Sequence, residues 1–306
     1  MTTVVDLTTA ALSRLHHRAD LVLGGVDEPR PDAIDPLARQ MFLTAHCGVD
    51  DEGYADRADV DALVDRCRAE LGDLAEPITG WRPLERLTSD PDAAVPMLAP
   101  DGVRVLVPAS SATPGATVGT GWTVATPLLA TPTDGRWLYW FSGQQHPVYQ
   151  SRLYLHLPAS TAVDDWLRLI RELARSGLTC QTKISTRLAS RPRLDGVVVY
   201  LVDHAATRRA VEVVTELIPV TRRGTETAGF ALPLAPGVAL AARPVAEHLR
   251  GLLSGAADFD LSWGFWWARR LAEIAGHTDR ASRLDHEIGL LADAWVRTER
   301  WWRHGR

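Results

Sequence analysis

Ser151-Arg-Leu-Tyr-Leu-His-Leu157 is the most regular stretch of the chain. Leucine holds positions 153, 155 and 157, and Arg152, Tyr154 and His156 hold the positions between and before them. A period of two is that of a strand with one apolar and one polar face. The period then changes. Val163, Trp166, Leu167, Ile170 and Leu173 recur at helical spacing, Thr161 stands where a cap is needed with Asp164 as its capping-box partner, and Gly177 stops the helix. Residues 179–188 read as a second strand that puts Gln181, Lys183, Ser185 and Arg187 on one face. Residues 196–202 read as a third, apolar enough to be central, with Tyr200 near its end. Strand, helix, strand and further strand make a sheet of the α/β or α+β kind.

Outward from this unit, residues 103–107, 122–125 and 137–141 are short apolar runs between Gly, Pro and Thr, and read as strands. Gly119-Thr-Gly121 has no third glycine and no helix after it, so it reads as a turn rather than a nucleotide loop. Toward the N-terminus, residues 4–23, 36–46 and 56–72 are amphipathic helices, and the Pro-rich stretch 77–100 reads as a linker. Beyond the third strand, helices are expected at about 204–217, 244–254, 262–275 and 279–303, carrying Trp263, Trp266, Trp267, Trp295, Trp301 and Trp302 as core aromatics. The expected fold is α+β: a helical N-terminal region (1–95), then a domain (100–306) with a mixed sheet covered by helices and a Trp-rich helical C-terminus.

Hydrophobic residues are 46% and charged residues 23% of the 306, the balance of a globular protein with a full core. No run of about 18 apolar residues appears, so no membrane partner is expected. Met-Thr-Thr-Val-Val-Asp lacks the basic and apolar regions of a secretory signal, and Cys47, Cys67 and Cys180 are odd in number and widely spaced. Both point to a reducing, cytoplasmic location. The net charge of -5 hides an asymmetry. Residues 1–100 hold 9 Arg against 19 Asp and Glu, and residues 101–306 hold 24 basic against 19 acidic residues. Charge alone is satisfied by an acidic solvated region joined to a near-neutral one. That is the reading charge alone favours; the sharper one is that the second region recognises an anion. Nucleic acid is not an expected partner, since the pI is near 6.1 and no nucleic-acid module appears.

Arginine supplies 32 of the 33 basic residues, and Lys183 is the only lysine. A surface lysine can drift to arginine at little cost, whereas a lysine needed as a neutral amine cannot. The two strands that carry Arg152, Tyr154 and His156, and Lys183 and Arg187, can present one shared polar face. Periodicity alone reads such a face as the solvent side of a sheet. Three features argue for chemistry: proton-transfer groups mixed with arginines, the sole lysine, and Arg191-Pro-Arg193-Leu-Asp195 leading into the third strand, where an Arg–Asp pair could fix one guanidinium. His16-His17, His46-Cys47 and His286-Glu287 lack metal-ligand partners at the right spacing, and no P-loop, G-x-S-x-G or kinase signature occurs, so neither metal nor cofactor is expected.

Arg152-Leu-Tyr-Leu-His-Leu, Gln181-Thr-Lys183-Ile, Arg193-Leu-Asp195-Gly-Val-Val-Val-Tyr200 and Pro233-Leu-Ala-Pro236-Gly237-Val-Ala-Leu-Ala together resemble the HopA1-like proteins. Trp137-Leu-Tyr139-Trp-Phe-Ser-Gly143 resembles the family's aromatic strand, and the resemblance covers roughly residues 135–275. The family includes a type III effector and domains encoded beside ribosomally made peptides of the lanthipeptide and thioamitide kinds. The resemblance implies a phosphoserine/phosphothreonine lyase that works with a separate kinase, and possibly a cyclase, on a phosphorylated precursor peptide. Elimination leaves dehydroalanine or dehydrobutyrine. On that reading Lys183 is the base, provided neighbouring arginines and burial lower its pKa. Arg152, Arg187, Arg191 and Arg193 are the phosphate clamp, and Tyr154, His156 or Tyr200 donates the proton. A non-catalytic module binding the peptide or the kinase is the alternative. One departure stands out. The family's Ser-Phe-Gly motif is followed three residues after its glycine by arginine, whereas Ser262-Trp-Gly264-Phe-Trp-Trp267 has tryptophan there, so Arg269 or Arg270 would have to substitute.

Overall fold

The computed structural model describes residues 4–25, 34–50, 57–74, 78–84, 94–98, 104–114, 121–124, 128–130, 136–142, 149–187, 193–243, 245 and 262–305. Three helices open the chain: α1 (Val4–Gly24), α2 (Ile34–Met41) and α3 (Arg57–Leu71). A π-helical turn, Phe42–Cys47, continues α2 and ends at Gly48 in the left-handed conformation. Then come β1 (Ile78–Pro83), β2 (Ala94–Leu98), β3 (Arg104–Pro108), β4 (Ala112–Pro114), β5 (Trp122–Val124), β6 (Leu128–Ala130), β7 (Trp137–Phe141) and β8 (Ser151–Leu155). The remaining elements are α4 (Ala162–Arg175), β9 (Cys180–Ser185), β10 (Val197–Leu201), α5 (His204–Leu217), β11 (Leu232–Ala235), β12 (Val238–Ala242), α6 (Trp263–Glu273) and α7 (Arg280–His304).

The architecture is α+β, with two corrections. The stretch expected to be a linker carries β1 and β2, so the first 95 residues are not purely helical. The expected mixed sheet has no hydrogen-bonded parallel pair among the described strands. Its strand–helix–strand unit, β8–α4–β9, does run both strands the same way, but β10 inserts between them and pairs antiparallel with each. The strand order is β11-β12-β8-β10-β9-β7-β6-β3-β2-β1-β5-β4. β1 joins two sheets: Ile78 and Trp81 pair with β5, Arg82 and Pro83 with β2, and the register shifts between Ile78 and Trp81. The expected helix at 244–254 lies outside the described residues, residue 245 apart.

One face of the central strands is apolar and helix-covered. Leu153, Leu155, Ile184, Val197 and Val199 are buried there with Trp166 and Ile170 of α4 and Val213 and Val214 of α5. Two polar contacts fix the layer: Trp166 Nε1 donates to Thr182 Oγ1 at 3.0 Å, and Ser151 and Thr207 share a hydroxyl hydrogen bond of 2.6 Å. The same cluster takes in Leu15 and Leu23 of α1, Met41 of α2 and Leu71 of α3, so the N-terminal helices share a core with the sheet. A second cluster, Trp81, Val95, Met97, Val107, Val124, Tyr139 and Phe141, belongs to β1–β7.

Asp203 and Ser262 cap their helices as local chemistry predicts, whereas Thr161 and Asp279 make no side-chain cap bond. Asp203 caps α5 by accepting from the Ala206 N–H at 2.7 Å. The capping box expected of Thr161 and Asp164 does not form, because Asp164 pairs with Arg66 and ties α3 to α4. Between β11 and β12, Pro236 and Gly237 make a two-residue turn with Gly237 at φ +68°, and a Cβ there would lie 2.7 Å from the Gly224 carbonyl oxygen. Gly237→Ala is therefore expected to cost about 1–3 kcal/mol, read as a lower denaturant midpoint. An unchanged midpoint would show that the turn relaxes.

Candidate active site

The opposite face of the same strands carries the polar residues. Directly paired residues of an antiparallel ladder share a face, and so do residues two positions apart. Tyr154, Val198, Lys183 and Tyr139 form one row across β8, β10, β9 and β7. Arg152, Tyr200, Gln181 and Phe141 form the next. Trp137, opposite Ser185, lies diagonal to Lys183. Tyr154 is buried at one end of this face, while Arg152, Lys183, Tyr200 and Trp137 are half-buried.

Lys183 and Arg152 are the cations. The Lys183 Nζ stands 3.9 Å from the centre of the Trp137 ring and 5.8 Å from those of Tyr139 and Tyr200. Arg152 lies 5.2 Å from the Tyr200 ring centre and shares its strand face with Tyr154. Burial works against the charge on Lys183, but Tyr139, Tyr200 and Asp195 outweigh it and hold the ammonium well above the ordinary lysine range. This reverses the expected lowering. The groups that raise the lysine are the phenols of Tyr139 and Tyr200 and the Asp195 carboxylate, with no guanidinium among the opposing causes, so the resting lysine is charged. Burial pushes the Tyr154 hydroxyl up to about 12 against the pull of Arg152.

Arg193 and Asp195 form the anticipated ion pair. Arg193 Nε donates to Asp195 Oδ1 at 2.9 Å and Nη2 to Oδ2 at 3.0 Å. Arg193 Nη2 also donates to Cys47 Sγ at 3.0 Å, the Cys47 thiol reaches Asp195 Oδ2 at 3.6 Å, and the guanidinium lies 5.1 Å from the centre of the Trp137 ring. Asp195, although buried, is held well below the usual carboxylate range by Arg193 first, then His46 and Lys183. With Asp195 balanced by Arg193, Lys183 and Arg152 leave the face with positive charge, which suits an anion.

The other expected site residues are placed differently. His156 follows the end of β8, where its Nδ1 meets the Glu226 carbonyl at 3.1 Å and its ring occupies the space a Gly224 Cβ would need. Arg187 lies past the end of β9, with its main-chain N–H on Ser185 Oγ at 3.4 Å. Arg191 lies outside the described residues. Arg270 is held by Glu287 through bonds of 2.6 and 3.0 Å, and Arg269 pairs with Glu273. Trp267, at the position where the motif would carry arginine, is buried edge-on against Trp263 and Trp266. Among the described residues no three His, Cys, Asp or Glu side chains gather as a metal site, and no helix is long and apolar enough to cross a membrane.

Residues 138–255 match the HopA1 effector protein family. This stretch is a HopA1-family domain. Two solved structures match along most of the chain. One is the effector protein from Pseudomonas syringae pv. syringae strain 61, 12% identical over 95% of each chain, with a TM-score of 0.43. The other is the effector from Pseudomonas syringae pv. tomato strain DC3000, 12% identical over 92% of this chain and 95% of that one, also with a TM-score of 0.43. A search of curated proteins returns no match. The HopA1-family domain supplies Arg152, Tyr154, Lys183, Arg193, Asp195 and Tyr200, but not the back wall of the site.

That wall is the π-helical turn. His46 is buried edge-on to Tyr154, with ring centres 5.3 Å apart, and stacks between Phe42 and Phe230. Its Nδ1 accepts the Phe230 N–H at 3.1 Å. Burial lowers its pKa to about 4; Asp195 opposes the shift, and Arg193, Arg152 and Lys183 reinforce it. The unfolded chain takes up this proton near pH 6.5 and the folded one only near 4, so stability is complete above about 6.5 and declines as pH falls toward about 4. Denaturant unfolding should show a loss of about 2 kcal/mol from this group between pH 7 and 5. His46→Phe should unfold more easily at pH 7, having stranded the Phe230 N–H, yet lack that slope. An equal slope in the variant would assign the acid sensitivity elsewhere.

Proposed function

We propose that the HopA1-family domain is a phosphoserine/phosphothreonine lyase acting on a ribosomal precursor peptide that a separate kinase has phosphorylated. The observation that carries this reading is the position of Lys183 and Arg152 on one sheet face, interleaved with Tyr154 and Tyr200 and relieved of the Asp195 charge by Arg193. In β-elimination a base takes the α-proton, the C–H electron pair becomes the Cα=Cβ bond, and the Cβ–O bond breaks to release inorganic phosphate. Lys183 is the base, Arg152 binds the phosphoryl oxygens and neutralises the leaving group, and Tyr200 or Tyr154 supplies a proton to it. His156, engaged with the Glu226 carbonyl, is the less suited donor. Because Lys183 rests as an ammonium, the rate should climb about tenfold per pH unit through the neutral range.

The test is to incubate the protein with a kinase-phosphorylated peptide and follow its mass. Loss of phosphoric acid supports the lyase. Loss of phosphate with retention of the hydroxyl indicates a phosphatase and overturns it. The raised proton affinity of Lys183 favours a second reading, a non-catalytic module that holds the phosphopeptide for the kinase or cyclase. That module would bind the phosphopeptide without changing its mass.

A further inference from the structure

We infer that Trp137 is the positioning residue for Lys183: its indole face, with the Tyr139 and Tyr200 rings, cages Nζ and fixes where the amine stands on the sheet. The cage is built by register. Tyr139 is directly opposite Lys183 on β7, Tyr200 comes from the other neighbour, β10, and Trp137 is the diagonal residue on β7 that a long side chain can reach. The ammonium lies 3.9 Å from the indole centre and 5.8 Å from each phenol ring centre, within the range of a cation–π contact. The indole is itself backed by Arg193, whose guanidinium lies 5.1 Å from the same ring centre and is held by both oxygens of Asp195. A chain of contacts therefore runs from a buried ion pair through an indole to the amine. Among the described residues, Tyr139 of β7, Tyr200 of β10 and Asp195 before β10 act on Lys183, Lys183 acts on His46 of the π-helical turn, Arg193 shares the Trp137 ring with it, and Arg152 of β8 shares the Tyr200 ring. The cage holds the amine where an α-proton must be presented, and that consequence alone rests on the lyase reading.

The sole lysine makes a direct test available. Protein labelled with [13Cε]lysine gives one lysine resonance, readable without substrate. In the native protein it is expected upfield of the free-lysine position, shifted by the indole ring current, and not to titrate in the ordinary lysine range. In Trp137→Leu it should move to the free-lysine position, and its midpoint should fall by about one unit. Trp137→Phe, which keeps an aromatic face, should fall between. A resonance and midpoint unchanged in Trp137→Leu overturn the cage; if that variant does not fold, an unchanged resonance in Trp137→Phe does so. Elimination is measured separately on the same proteins, so a silent lyase assay leaves the cage result intact, and a failed cage does not by itself refute the lyase.

Discussion

Lys183→Ala is expected to lower phosphate elimination by about 10²–10⁴-fold, the range for loss of a positioned proton-transfer group, and Lys183→Arg is expected not to restore it. The second half of that prediction separates two roles. A guanidinium keeps the positive charge and can pair with phosphate, but it does not lose its proton at any working pH. If Lys183 only clamps phosphate, arginine should recover much of the activity. If Lys183 takes the α-proton, arginine should be nearly as inactive as alanine. The pH profile gives an independent check. Only neutral amine is competent, and at pH 7 an ordinary lysine is neutral about once in 10³–10⁴ molecules, this one less often. Activity in the native protein should therefore rise with pH, and that rise should be absent from whatever activity Lys183→Ala retains. Normal elimination by Lys183→Ala would remove the lysine from the mechanism.

The contrast between what periodicity reveals and what register reveals is sharp here. α3 and α5 were readable to within a residue or so, because an amphipathic run of fourteen or fifteen residues with a clear start and stop has few alternatives. β1 and β2 were not, because Ile78-Thr-Gly-Trp-Arg-Pro83 and Ala94-Val-Pro-Met-Leu98 contain the Gly and Pro that mark loops. Their places come from pairing with β5 and β3, which local sequence does not encode. The site divides the same way. That Arg152 and Tyr154 share a face, and that Lys183 and Gln181 share one, follows from a period of two. That Tyr139 and Trp137 flank Lys183 depends on β7 lying beside β9, and that His46 backs Tyr154 depends on the fold of a helical segment more than a hundred residues away. The lysine shift runs opposite to the sequence expectation for the same reason: arginines are its neighbours in sequence, whereas Tyr139, Tyr200 and Asp195 act on it in space.

Asp195→Asn is expected to destabilise the protein by about 3–5 kcal/mol, the cost of leaving one partner of a buried ion pair unpaired. Asparagine has the shape of aspartate and can still accept a hydrogen bond from Arg193, so the loss isolates the charge. The Arg193 guanidinium would stand buried beside Lys183 and Arg152 with no carboxylate to balance it. Replacing both members of the pair with apolar residues of similar size, Arg193→Met with Asp195→Leu, should cost less than Asp195→Asn alone, because no charge is then stranded. The same substitution should reach the active face. Asp195 stabilises the Lys183 ammonium and anchors the guanidinium on which Trp137 rests, so its neutralisation should lower the lysine midpoint and shift the single lysine resonance. A variant with normal stability and an unmoved lysine signal would mean that the ion pair is a local feature of the loop before β10, with no hold on the site. A variant that loses stability and shifts the lysine signal would tie the core and the chemistry to one carboxylate.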